Sequence, residues 1–272
     1  VEISDRSSLA IGIFDSGAGG LTVLKAINKL LPNENIIYLG DGARLPYGNK
    51  SPETIIRYSL ESSRFLSEKK IKLLIIACHT ASSIALDALA EQMSLPILGM
   101  VTPCIPDLLL SLKTDKIAIL GTQATVSSRI YQNALKEEYL PSSVLTIACP
   151  LFVPLVEEGL IESPMTTESI KHYLQPVKEQ NITTVLLACT HYPLLQNVIQ
   201  DYLGEQCRLI DPAFSCAKAA KSILESTDLL NNKPENVSTA FYTTDDPEKF
   251  KKLGERFLGS PIQSVEKVNL SI

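Results

Sequence analysis

The chain has 272 residues, enough for one large α/β unit or two smaller ones, each with its own core. Its 30 acidic against 25 basic side chains give a formal net charge of −5, and no basic cluster offsets that balance. This argues against nucleic acid or an anionic membrane surface as partner. No apolar stretch approaches transmembrane length and no signal-like segment opens the chain, so the expected compartment is the cytoplasm, where the six cysteines stay reduced. Their irregular spacing shows neither a disulfide framework nor a Cys-x-x-Cys pair, and no metal site is expected.

Strand-like runs alternate with helical ones along most of the sequence. Ile11–Phe14, Asn35–Gly40, Leu73–Cys78 and Leu95–Gly99 are the first four expected strands. Between them, Leu21, Leu24, Ile27 and Leu31 have helical spacing, and Pro32 stops the run. Ser51-Pro52-Glu53 supplies an N-cap, a proline at the first helical position and an acid suited to the dipole, opening a helix to about Lys69. Gly99–Pro106 reads as a loop. Lys116–Leu120, Val144–Cys149, Thr184–Cys189, Cys207–Ile210 and Ser238–Thr243 complete the expected strands. Ser169–Gln180 reads as a polar helix with His172 solvated, and His191–Leu203 as a helix ending at Gly204. Asp211-Pro212 caps a further helix to about Leu224, followed by one more strand, and Asn231–Asn236 reads as a solvated loop. Such alternation predicts an α/β fold with doubly wound, mostly parallel sheets.

The chain also repeats itself. Ile11-Gly12-Ile13-Phe14-Asp15-Ser16-Gly17 resembles Ile117-Ala118-Ile119-Leu120-Gly121-Thr122-Gln123. Ile36–Asp41 resembles Val144–Cys149, and Ala77-Cys78-His79-Thr80 resembles Ala188-Cys189-Thr190-His191. The offsets run from about 106 to 111 positions in the same order, which predicts two similar three-layer α/β domains, pseudo-twofold related, around a cleft. Residues 1–98 plus 212–272 would form the first, and 99–211 the second.

The chemistry concentrates at Cys78 and Cys189. Each ends an apolar run and opens a helical pattern, placing a thiol at the sheet edge where parallel α/β folds bind ligands. A helix N-terminus there should favour the thiolate, a nucleophile and a general base. Cys104, Cys207 and Cys216 read as packing residues, and so does Cys149, although it precedes Pro150 at a strand end. Asp15-Ser16-Gly17-Ala18-Gly19-Gly20 is a glycine loop between strand and helix. Thr22 stands where a dinucleotide fingerprint needs glycine, and the Lys-Ser/Thr pair of a P-loop is absent. An aspartate beside free N–H donors suits a small amino-bearing acid better than a phosphate. His191, next to a reactive thiol, reads as an acid–base group.

Asp15-Ser16-Gly17-x-Gly19-Gly20, Pro46-Tyr47-Gly48, Ala77-Cys78-x-Thr80-Ala81, Gly121-Thr122-x-x-Thr125, Ala148-Cys149-Pro150-Leu151-Phe152-Val153-Pro154 and Cys189-Thr190-His191-Tyr192-Pro193-Leu194-Leu195 together resemble glutamate racemase. The resemblance implies a two-domain enzyme without cofactor that interconverts L- and D-glutamate, the D-isomer feeding peptidoglycan synthesis. It makes Cys78 and Cys189 the acid/bases on opposite faces of the α-carbon, with Asp15 assisting the first and His191 the second. It assigns substrate binding to Asp15, Ser16, Tyr47, Gly48, His79, Thr80, Thr122, Thr125, Thr190 and His191. A small-molecule substrate is the implied partner, and a homodimer is compatible with it. Two departures stand out. His79 occupies a position where the family usually has asparagine, implying a slow or relaxed-specificity enzyme, and Cys104 stands where a glycine is common. A racemase of another acidic amino acid such as aspartate, a two-lobed binding protein without turnover, and a cysteine hydrolase using Cys189 and His191 are the alternatives on sequence.

Overall fold

The apolar runs become strands because β-branched and leucine-rich stretches can bury both faces only inside a parallel sheet covered by helices. A computed structural model describes residues 6–112, 116–138, 143–232 and 237–270. In chain order it runs β1 (Ala10–Asp15), α1 (Leu21–Leu30), β2 (Ile36–Gly40), α2 (Pro52–Glu68), β3 (Ile71–Ile76), α3 (His79–Ile84), α4 (Leu86–Gln92) and β4 (Ile97–Leu98). It continues through α5 (Val101–Leu110), β5 (Lys116–Gly121), α6 (Gln123–Ser128), α7 (Ile130–Glu138), β6 (Ser143–Ala148), α8 (Phe152–Glu157), α9 (Pro164–Glu179) and β7 (Thr184–Ala188). The last elements are α10 (Gln196–Leu203), β8 (Arg208–Ile210), α11 (Ala213–Ser226), β9 (Thr239–Thr243), α12 (Pro247–Leu258) and β10 (Glu266–Lys267).

Two sheets result. One has the order β10-β9-β2-β1-β3-β4 and the other β6-β5-β7-β8. Every strand pair among the described residues is parallel. The order β2-β1-β3-β4 of the first sheet recurs as β6-β5-β7-β8 in the second, so the sequence repeat is a repeat of topology. Register agrees: Asp15 pairs with Gly40 and Gly121 with Ala148. The strands β1, β5, β3 and β7 are central and almost wholly buried. Each fully buried Leu or Ile there contributes about 1.5–3 kcal/mol relative to exposure. Beyond the repeat, β9 adds beside β2 and β10 beside β9, while α11 and α12 pack on α1.

Local signals explain most boundaries. The Ser51 hydroxyl accepts the Thr54 N–H at 3.4 Å, as the cap reading requires. Asp211 accepts the Ala213 N–H at 2.9 Å and opens α11. His172 is exposed on α9. Four expectations are corrected. The Gly99–Pro106 loop is the start of α5: Pro103 lies in its first turn, where no helical donor is needed, and Pro106 is tolerated in the interior. The expected Leu95–Gly99 strand is only Ile97–Leu98. The stretch from His191 begins as a 3₁₀ turn, Tyr192–Leu195, and becomes α-helical at Gln196. Asn231 is buried, because its N–H donates to Glu34 Oε1 at 2.8 Å and its side chain to the Asn33 carbonyl at 2.9 Å. Glu34 is in turn paired with Lys72, buried inside β3. Residues 233–236 of that expected loop lie outside the described residues.

Candidate active site

The loops at the C-terminal ends of both sheets meet one another. Thr190, after β7, donates its hydroxyl to Asp15 Oδ1, at the end of β1, at 3.4 Å. Thr80 and Thr122 share a hydrogen bond at 2.9 Å between α3 and the end of β5. The glycines permit this closeness. A Cβ on Gly19 would lie 2.5 Å from His191 Nδ1 and Thr190 Oγ1, and one on Gly48 would lie 2.5 Å from the Thr122 Cβ. Buried phenols brace the loops from behind: Tyr38 donates to the Gly17 carbonyl at 2.9 Å, and Tyr192 to the Gly121 carbonyl at 3.0 Å.

Asp15 is wholly buried, and its Oδ2 accepts the Gly17 N–H at 3.0 Å. Burial raises its carboxyl above the usual range, opposed by the charge of His191 and the N–H groups of Gly20 and Gly17. Beside it, Cys78 occupies the N-cap of α3, with its Sγ 3.5 Å from the Ser16 hydroxyl. Burial and then the Asp15 charge push this thiol up to about 12, against the Ala81 N–H and the Ser16 hydroxyl. The dipole argument for a thiolate at Cys78 is therefore corrected. A six-residue helix contributes little at its start compared with removing a charge from water. The charge of Cys189 adds a smaller upward push on Cys78.

Cys189 directly follows β7 and is also buried. Its neighbour His191 is 2 % exposed, has Nδ1 3.4 Å from the Thr190 hydroxyl, and donates from Nε2 to Glu157 Oε1 at 2.6 Å. Burial opposes charge on this imidazole, yet the neighbouring Cys189 and Glu157 push it up to about 10. It is an imidazolium at neutral pH, the partner that negative charge developing on sulfur needs. The Phe257 ring of α12 packs edge-on against it at 5.2 Å.

The remaining expected site residues gather around these groups. Tyr47 is buried with its phenol donating to Asp41 Oδ2, and Gly48 abuts Thr122. Thr122 caps α6 by accepting the Thr125 N–H at 3.3 Å, and the two hydroxyls lie 3.1 Å apart. His79 follows Cys78 directly, is 3 % exposed, and has no hydrogen-bond partner at either ring nitrogen. Burial pushes its pKa down to about 3, so it is a neutral imidazole with one donor and one acceptor unused. Cys104, Cys149, Cys207 and Cys216 are buried as packing residues.

Sequence reasoning missed Glu157, whose only signal is its place three residues beyond the quoted Pro150–Pro154 stretch. It also missed α12, although Asp246-Pro247-Glu248 repeats the cap pattern of Ser51-Pro52-Glu53 and Asp246 does accept the Glu248 N–H at 2.9 Å. Among the described residues no group of three or more His, Cys, Asp or Glu side chains is disposed to hold a metal ion. None of the described helices is long and apolar enough to cross a membrane.

Two buried thiols thus stand at equivalent strand ends of an α/β fold, one beside a carboxylate and the other beside an imidazolium–carboxylate pair. The chain belongs to the Asp/Glu/Hydantoin racemase family, whose model matches residues 11–220. It is 44% identical over 261 residues to a glutamate racemase of Geobacter metallireducens, covering 96% of this chain and 97% of that protein. Among solved structures, a glutamate racemase isoform of Bacillus anthracis superposes with a TM-score of 0.91 at 37% identity, covering 97% of this chain and 98% of that one. A glutamate racemase of Francisella tularensis in complex with D-glutamate does so with a TM-score of 0.90 at 36% identity, covering 97% and 99%.

Proposed function

We propose that this protein interconverts L- and D-glutamate without a cofactor, in the cytoplasm, and supplies D-glutamate for peptidoglycan synthesis. The observation that carries the reading is the delivery of Cys78 and Cys189 by equivalent strands of the repeat to loops that hydrogen-bond one another, Thr190 to Asp15 and Thr80 to Thr122. One sulfur, as thiolate, takes the α-proton; the opposite sulfur, as thiol, gives its own proton to the other face of the carbanion. The first is then a thiol and the second a thiolate, so the reverse reaction uses the same groups with roles exchanged. Asp15 serves Cys78, and His191, held by Glu157, serves Cys189. Ser16, Tyr47, Gly48, Thr80, Thr122, Thr125 and Thr190 hold the ammonium and carboxylates through hydroxyls and N–H groups, as preorganised dipoles do in a dry site. The halves are assigned as 1–98 plus 212–272 and 99–211, supported by the addition of β9 and β10 to the first sheet. In D₂O, the wild type is expected to wash deuterium into Cα from either enantiomer. Binding without exchange would overturn the reading, and exchange confined to aspartate would reassign the substrate.

His79 is the residue we assign to setting affinity and rate. A buried imidazole with two unsatisfied nitrogens is costly unless a ligand or water pairs with it, by about 1–3 kcal/mol for each unpaired group. Its place next to Cys78 makes the substrate the natural partner. His79→Asn, a smaller group with a paired donor and acceptor, is expected to change kcat/KM for glutamate by about tenfold, equivalent to one hydrogen bond of about 1.4 kcal/mol. Kinetics identical to wild type at every pH would remove His79 from the site.

A further inference from the structure

The loop between β2 and α2 carries Tyr47 and Gly48 to the site, yet it is built from two short 3₁₀ turns, Gly42–Arg44 and Tyr47–Asn49. Such turns do not hold their own geometry. What holds this one is a cluster of charges behind it. Asp41, wholly buried at the end of β2, accepts the Arg44 Nε–H at 2.6 Å and the Tyr47 phenol on the same oxygen, Oδ2. Its other oxygen accepts the Thr244 hydroxyl at 2.8 Å, and its N–H donates to the Asp15 carbonyl at 3.0 Å. Arg44 reaches on from Nη1 to Glu61, a buried acid on α2, and its guanidinium lies 4.2 Å from the centre of the Tyr58 ring. Tyr47 is gripped between Phe14 and Tyr58, with ring centres 6.1 and 5.7 Å away.

We infer that Arg44 and Glu61 are positioning residues for substrate binding: they tie the loop to α2 and so set where Tyr47 and Gly48 stand against Thr122. The geometry is specific to arginine. Its planar fork addresses two carboxylates from different edges while its face covers an aromatic ring, which an ammonium cannot do together. Glu61 is linked to Asp41 through Arg44, which bonds both carboxylates. Neutralising Glu61 leaves Asp41 and Tyr47 in place but frees one end of the guanidinium. The loop then loses its anchor to α2, and the binding surface, rather than the sulfurs, is what changes.

This inference rests on the racemase reading, and the experiment separates the two. Wild type, Glu61→Gln, Arg44→Ala and Arg44→Lys are compared for kcat and KM with L- and D-glutamate, alongside thermal midpoints. Exchange at Cα by the wild type tests the activity itself. Given that activity, Glu61→Gln is expected to raise KM about tenfold with kcat within about twofold, the signature of lost binding common to ground and transition states. Arg44→Ala is expected to raise it further, with Arg44→Lys recovering part of the loss. A Glu61→Gln enzyme with wild-type KM overturns the inference, whether or not its midpoint falls, as does a fall in kcat at unchanged KM. Should Arg44→Ala fail to fold, Glu61→Gln, which keeps the side chain's size, still decides.

Discussion

Cys78→Ala and Cys189→Ala are each expected to abolish racemisation, lowering it by at least about 10³-fold, within the usual contribution of a positioned acid or base. The two variants should differ in what survives. With one sulfur removed, the other can still take the proton on its own face and return it, so solvent deuterium enters at most one enantiomer without inversion. The surviving enantiomer should be opposite in the two variants. Following Cα exchange by mass or proton resonance, alongside optical rotation, reads both quantities at once. Wash-in from both enantiomers by either alanine variant would mean that a single group serves both faces. The burial of both thiols makes alanine a modest structural change, since a sulfur is lost from a packed site without a buried charge being left behind.

Glu157→Gln is expected to be the most informative single change outside the sulfurs. In the wild type His191 is pushed up to about 10, with Cys189 and Glu157 overcoming the burial that opposes charge. The sign follows directly. A base whose folded pKa is raised stays protonated until pH passes that value, so the imidazolium persists through neutrality and is lost only on the alkaline side. Removing the Glu157 charge takes away part of the upward push and leaves Cys189 alone to oppose burial, so the imidazolium is lost at lower pH. The alkaline limb of kcat/KM should therefore move to lower pH by at least about one unit, with kcat near neutrality falling roughly 10²-fold. A Glu157→Gln profile superimposable on wild type would show that the 2.6 Å contact holds the ring without tuning it. Stability should follow the same sign. The contribution of the charged His191 is complete below its unfolded pKa near 6.5 and disappears as pH rises through about 10.

The sheet-edge positions of Cys78 and Cys189 are legible in the sequence alone because the clues are local. Leu73–Ile76 and Val185–Leu187 can only be strands buried on both faces, and a thiol immediately after such a run must stand at a sheet edge. The repeat was legible for the same reason, since β1, β2 and β3 recur as β5, β6 and β7 with matching hydrophobic patterns and, as it turns out, matching sheet order. Glu157 was not legible. Carboxylates are common on helices, and nothing in the spacing from Glu157 to His191 shows that α8 brings one oxygen to the imidazole. The same holds for Arg44, Glu61 and Asp41, whose partners come from α2 and from Thr244, about two hundred positions further along. The helix α12 illustrates a different failure. Its cap was written in Asp246-Pro247-Glu248, but the role of Phe257 against His191 exists only once the tail has packed on α1.

The alternation of elements, the doubling of the chain and the strand-end positions of Cys78 and Cys189 are encoded in short apolar runs, capping residues and glycine turns, each read over a few neighbours. Which of those groups carries a proton was settled elsewhere. Burial drives Cys78 up and His79 down, while Glu157 and Cys189 drive His191 up against the same burial. Periodicity is a property of neighbours along the chain, whereas the field at a buried atom sums over everything packed around it, most of it distant in sequence. That is why the placement of the two thiols can be read from the residues, and the electrostatics around them only from the folded contacts.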